Sequence, residues 1–166
     1  MNPIESQHIA ARVLALEGLH LDQQNWDAWL SLYAPDCEYW VPAWRSEHEL
    51  VSDIRREVSL IYHPTRSGLE ERVVRLRSRK SVTAMPLPRT VHHTSNVLVD
   101  EVTSSTMSGT ASWTVHEYDP RVSKLLCHSG RYEYSLMAAA DGWVISRKKI
   151  VLLNDVIPTV VDFYNL

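Results

Sequence analysis

Residues 107–116 read Met-Ser-Gly-Thr-Ala-Ser-Trp-Thr-Val-His. Met107, Gly109, Ala111, Trp113 and Val115 alternate strictly with Ser108, Thr110, Ser112, Thr114 and His116. That two-residue period belongs to a strand with one face in a core and one face outward. Trp113 falls among the apolar set and is expected on the inner face. The same pattern predicts neighbouring strands over Thr90–Asp100 and Leu126–Met137, the latter with Tyr132, Tyr134 and Leu136 on one face. Asp141-Gly142 is the best hairpin turn in the chain and leads into a long strand over WVISRKKIVLLND.

Towards the N-terminus the period becomes helical. Asn2 is a cap candidate, Pro3 suits the first helical position, and Glu5 has capping-box spacing. Ile9, Val13, Leu16 and His20 recur at helical intervals, widened by Leu14 and Leu21. A second helix is expected after Asn25, with Trp26, Trp29, Leu30 and Tyr33 on one face and Pro35 as its stop. Cys37–Val41 is a short β-type run. Residues 43–59 read as a polar loop with one helical turn. A third helix over Gly68–Arg79 carries Leu69, Val73 and Leu76, and a proline-rich break follows. Helices followed by long antiparallel strands make an α+β fold, with N-terminal helices packed on a curved, mainly antiparallel sheet. A sheet curled around a helix forms a cone, which can hold an active site or be packed shut.

The 166 residues, 45% hydrophobic and 22% charged, predict one domain spanning 1–166. A formal charge of −3 lacks the basic footprint of a nucleic-acid binder. There is no apolar run of membrane-spanning length and no signal-peptide pattern, so a cytoplasmic protein is expected. Cys37 and Cys127 match no zinc or disulfide pattern. Six Trp and seven Tyr stand against one Phe, a balance suited to interfaces and pocket walls as well as cores.

Cofactor motifs are missing. Five glycines form neither a phosphate loop nor a dinucleotide fingerprint. The C-x-H and C-x2-H pairs of a Rieske centre do not occur. His116-Glu117-Tyr118-Asp119 comes nearest to an iron triad, but alternation sends His116 outward. His92 and His93 on one strand point to opposite faces. The inward one is either a general base or a hydrogen-bonded core histidine, and Asp36 is either its acid partner or a turn residue. Arg72, Arg75 and Arg79 line another face of the third helix, and with Arg66, Arg77 and Lys80 they form a basic stretch that is either a solvated face or a contact surface for a partner's carboxylates.

Four stretches carry a family resemblance: LDQQNWDAWLSLYAPDCEYWVPAW, REVSLIYHPTRSGLEERVVRLRS, PRTVHHTSNVLV and RKKIVLLNDVIPTVVDFYNL. In order and over nearly the whole chain, they resemble the small (β) subunits of Rieske-type aromatic-ring-hydroxylating dioxygenases. The Trp40–Trp44 run and IYHPTRSGLE point to the benzoate- and anthranilate-like branch. The resemblance implies a cystatin-like (NTF2-like) cone and a non-catalytic chain with no cofactor or metal of its own. It places the Rieske [2Fe–2S] cluster and the mononuclear non-haem iron on a partner α subunit. It further implies an α3β3 hexamer with β–β contacts, fed by a reductase or ferredoxin. Trp44, Arg66, Arg72, Arg75 and Arg79 are the expected interface residues. The competing reading is a stand-alone lyase or isomerase using His92 or His93 with Asp36.

Overall fold

Asn2 accepts the backbone N–H of Ile4 with its side chain at 2.9 Å, and Pro3 opens helix α1, Pro3–Asp22. The computed structural model describes residues 1–78 and 85–166, so Arg79 lies outside the described residues. The buried face of α1 carries Ala10, Val13, Leu14, Glu17, Gly18 and Leu21. That face is rotated from the expected stripe: Leu16 and His20 are only half-buried.

Helix α2 is short, Trp26–Ser31. Tyr33 does not extend it but begins strand β1, Tyr33–Pro42. Tertiary pairing decides this. The Leu32 carbonyl accepts the N–H of Ile145, and Tyr33 pairs in parallel with Ile145 on strand β8, Gly142–Leu152. Pro35 is therefore no helix stop. It sits where the β1–β8 register shifts between Tyr33 and Glu38, a place where a strand tolerates a missing N–H.

The expected loop over 43–59 holds a small hairpin, β2 (Trp44–Ser46) with β3 (Glu49–Leu50). Strand β4, Ser59–His63, follows it and pairs antiparallel with β1. Its five residues are too few for alternation to stand out. Helix α3 spans Arg66–Arg77 and buries Leu69, Val73 and Leu76. Strands β5 (Arg89–Val102), β6 (Thr106–Asp119) and β7 (Lys124–Ala139) complete a six-stranded sheet. Its order is β4-β1-β8-β7-β6-β5, antiparallel except for the β1–β8 pair. Gly142 takes φ 133° just after Asp141, a backbone setting that glycine tolerates best.

Helix α1 packs on β5 and β8, and α3 on β1 and β4, so the curved sheet wraps its helices as an α+β cone. The period-two reading of β6 holds residue by residue, with Met107, Gly109, Ala111, Trp113 and Val115 all buried. Trp113 is 2% exposed and stacks on Tyr132 with centroids 5.5 Å apart. Gly130, across the β6–β7 ladder from Trp113, makes room for it. A Cβ there would lie 2.9 Å from the indole nitrogen and 1.9 Å from the Val151 carbonyl. The C-terminal segment closes the cone with a 3-10 turn, Phe163–Asn165. The chain's one Phe, Phe163, stacks on Trp29 at 4.6 Å and meets Trp26 edge-on at 5.4 Å.

Trp113→Ala should therefore cost about 3–5 kcal/mol, the usual range for deleting a large buried aromatic side chain. Thermal melting of the purified protein checks it. An unchanged melting temperature would mean that the ring does not carry core packing.

Candidate functional site

Among the described residues, a buried charged pair occupies the middle of the cone. Glu17 projects from the inner face of α1, and Lys148 enters from β8, three residues beyond Ile145 and two before Ile150. Both are almost fully buried. Lys148 Nζ donates to Glu17 Oε2 at 2.5 Å. The second carboxylate oxygen accepts the Tyr33 hydroxyl and, more distantly at 3.4 Å, the Trp29 indole N–H. The Lys148 ammonium also sits 3.8 Å from the centroid of the Tyr132 ring, a cation–π contact on a face away from water. Burial pushes the Lys148 ammonium below its ordinary pKa, and the Glu17 carboxylate opposes that shift. Burial and the same carboxylate drive the Tyr33, Tyr39 and Tyr132 hydroxyls well above theirs. None of these phenols can serve as a base near neutrality.

The sequence signal for this pair is its phase. Lys148 shares the inward parity of Ile150 and Leu152, and Glu17 lies one helical turn from Val13, Leu14 and Leu21. A charged residue in an apolar phase on each of two elements is what a buried ion pair looks like before folding.

Of the two expected histidines, His92 is the inward one. Its Nδ1 lies 2.5 Å from Asp22 Oδ1, and its backbone N–H donates to Asp22 Oδ2 at 3.0 Å. Thr90 adds a third bond to the same carboxylate. Burial alone would raise the Asp22 pKa, but the His92 and Thr90 hydrogen bonds outweigh it and hold the carboxyl below its usual value. The acid that meets His92 is thus Asp22 at the end of α1. Asp36 is exposed on β1, and no hydrogen bond joins it to either histidine among the described residues. His93 is exposed on the convex face, edge-on to His116 at 5.5 Å. No group of three or more His, Cys, Asp or Glu is placed to hold a metal among the described residues. His116 and Glu117 go to opposite faces. Glu117 is buried and accepts His128 Nε2 at 3.0 Å and the Asn165 side-chain amide at 2.9 Å.

The expected interface residues are largely engaged within the chain. Trp44 donates its indole N–H to the Leu152 carbonyl at 2.7 Å. Arg66 bonds the Tyr33 carbonyl and Glu70, and Arg72 bonds His63 and Asp162. Arg75 is exposed on α3 beside the exposed Val74. An open groove of about 860 Å³ lies between α2 and the end of α3. Gln24, Trp26, Leu76, Arg77 and residues 85–87 line it, so among the described residues it offers one charged group and no acid–base pair.

A family model described as the ring hydroxylating beta subunit matches residues 17–159. The 2-halobenzoate 1,2-dioxygenase small subunit of Burkholderia cepacia is 38% identical over 100% of both chains. The anthranilate 1,2-dioxygenase small subunit of Acinetobacter baylyi is 40% identical, over 87% of this chain and 88% of its own. In structure, the benzoate 1,2-dioxygenase beta subunit from Burkholderia mallei superposes with a TM-score of 0.77 at 29% identity, covering 94% of each chain. A scytalone-dehydratase-like protein from Novosphingobium aromaticivorans shares the fold alone. Its TM-score is 0.67 at 14% identity, over 98% of this chain and 93% of its own.

Breaking the central pair from one side leaves a buried charge without its partner. Lys148→Met or Glu17→Gln alone should each cost about 3–5 kcal/mol, whereas the double variant should recover most of that loss. Denaturant unfolding of the three variants measures it. Single variants as stable as the parent would show that the two charges do not depend on each other.

Proposed function

The chain belongs to the ring-hydroxylating β-subunit family and is a structural small subunit of a dioxygenase complex. On that premise we propose that its complex is a terminal oxygenase acting on a benzoate-type aromatic acid. The relatives are named for 2-halobenzoate, anthranilate, benzoate and toluate. Their shared chemistry is a benzene ring carrying a carboxylate. The reaction adds both atoms of O2 to the ring, taking two electrons from NAD(P)H and two protons to form a dihydrodiol. A reductase, directly or through a ferredoxin, delivers the electrons.

In this reading the Rieske [2Fe–2S] cluster and the mononuclear non-haem iron belong to the large α subunit. The present chain serves as the rigid body on which α subunits assemble, in an α3β3 arrangement within the cytoplasm. No described helix is long and apolar enough to cross a membrane. The exposed Val74 and Arg75 on α3 offer the part of the arginine face that remains for a partner. The observation that carries the reading is the charged pair buried in the middle of the cone. Where an enzyme of this shape would hold substrate, Glu17, Lys148, Tyr33 and Trp29 satisfy one another. The lyase or isomerase alternative is not supported, because the acid it required, Asp36, is exposed and joins neither histidine by a hydrogen bond among the described residues.

Co-expression with an iron-carrying large subunit tests this. The two chains should co-purify, and turnover of benzoate-type acids should track iron held by the large one. His92→Ala, His93→Ala and Asp36→Asn should change yield or assembly only. Turnover per iron should stay within about threefold of the parent, under 1 kcal/mol in barrier. A fall of about a hundredfold at full iron occupancy would contradict the scaffold role, since that is the loss expected when a general acid or base is removed.

A further inference from the structure

We propose that His63, Arg72 and Asp162 form an acid-opened latch that holds the C-terminal segment, residues 153–166, against α3 and β4. Arg72 reaches from α3 in two directions. Its Nε donates to His63 Nε2 on β4 at 2.7 Å, and its Nη1 donates to Asp162 Oδ1 at 2.6 Å. Asp162 in turn organises the end of the chain. It caps the last turn through the Phe163 N–H at 2.8 Å, and its own N–H donates to Asn165 Oδ1 at 2.9 Å. The next residue, Phe163, is the ring stacked on Trp29. A single guanidinium thus ties the sheet edge to the turn that seats the chain's terminal aromatic plug.

The bond to His63 exists only while Nε2 has no proton. Protonation would set an N–H on the ring against the N–H of Arg72, two donors and two cations face to face. The ring has little room to turn away. Its Nδ1 lies against Gly68 of α3, where an added Cβ would come within 2.2 Å of it. The ionisable groups around His63 are Glu71, Arg72 and Arg75 on α3, Asp162 on the C-terminal segment, and Tyr39, its cross-strand partner on β1. Tyr39 is held well above its usual value and stays neutral. The two acids favour a charged ring. Burial and the arginines oppose them and prevail, so His63 titrates below the ordinary 6.5. The folded state therefore prefers neutral His63. The latch is at full strength above about pH 6.5 and weakens as pH falls from there through the lowered pKa.

Hydrogen exchange of the purified protein, in whatever assembly it is isolated, reads the latch directly by mass spectrometry. Peptides covering residues 160–166 should exchange about tenfold faster at about pH 5.5 than at about pH 7.5, after correction for intrinsic rates. In His63→Gln the amide oxygen can still accept from Arg72 but cannot take a proton, so protection should be equal at both pH values. Unchanged protection in the parent overturns the proposal. So does an equal acid response in His63→Gln, which would put the titration at another group. If the variant fails to fold, exchange at the imidazole C2 position of His63 in the parent decides. A midpoint below 6.5 supports the latch, and one at or above it overturns it.

Discussion

An ion pair between residues 131 positions apart, Glu17 on α1 and Lys148 on β8, sets the geometry of this fold. Two charges removed from water cost several kcal/mol each unless their partners are in place. Here they are. The carboxylate takes the ammonium on one oxygen and the Tyr33 hydroxyl and Trp29 indole on the other, while the Tyr132 ring covers the ammonium. No register shift of β8 and no rotation of α1 preserves this set. The pair therefore fixes the depth and roll of the first helix in the cone.

The position of α1 then settles the sheet edge. Strand β5 is terminal in the sheet and would otherwise present unpaired backbone groups over much of its length. Side chains of α1 cover it instead. Asp22 accepts the His92 N–H, and Gln7 donates to the Val97 carbonyl. His92 is anchored at this edge through its backbone N–H and its Nδ1. The other end of the cone is closed by the C-terminal segment, whose Phe163 stacks on Trp29, the same indole that reaches Glu17. Core, edge and terminus thus meet where α1 and α2 adjoin.

Much of this could be read in the sequence wherever a local rule and the tertiary environment agree. The Asn2–Pro3 helix start, the alternation of β6, the inward Trp113 and the Asp141-Gly142 turn all follow from local chemistry. Tyr33 departs from its helical spacing to Trp26 and Trp29 because a parallel partner 112 positions later claims its backbone. Strand β4 escaped because it is short and sits at an edge. Asp22 and Glu17 escaped for a different reason. Their roles depend on partners on β5 and β8, and spacing along the chain does not reveal those. Of the arginine face, Arg66 and Arg72 proved to be internal fasteners for the same reason, whereas Arg75 remains outward.

In the proposed role, the charged centre of the cone serves packing and not chemistry. The direct measurement is turnover per iron of the assembled oxygenase carrying Glu17→Gln together with Lys148→Met in this chain. The expected result is an assembled complex whose turnover per iron stays within about threefold of the parent, a change of under 1 kcal/mol in barrier. An assembled, fully iron-loaded complex that has lost about a hundredfold in turnover would show that the pair takes part in the reaction.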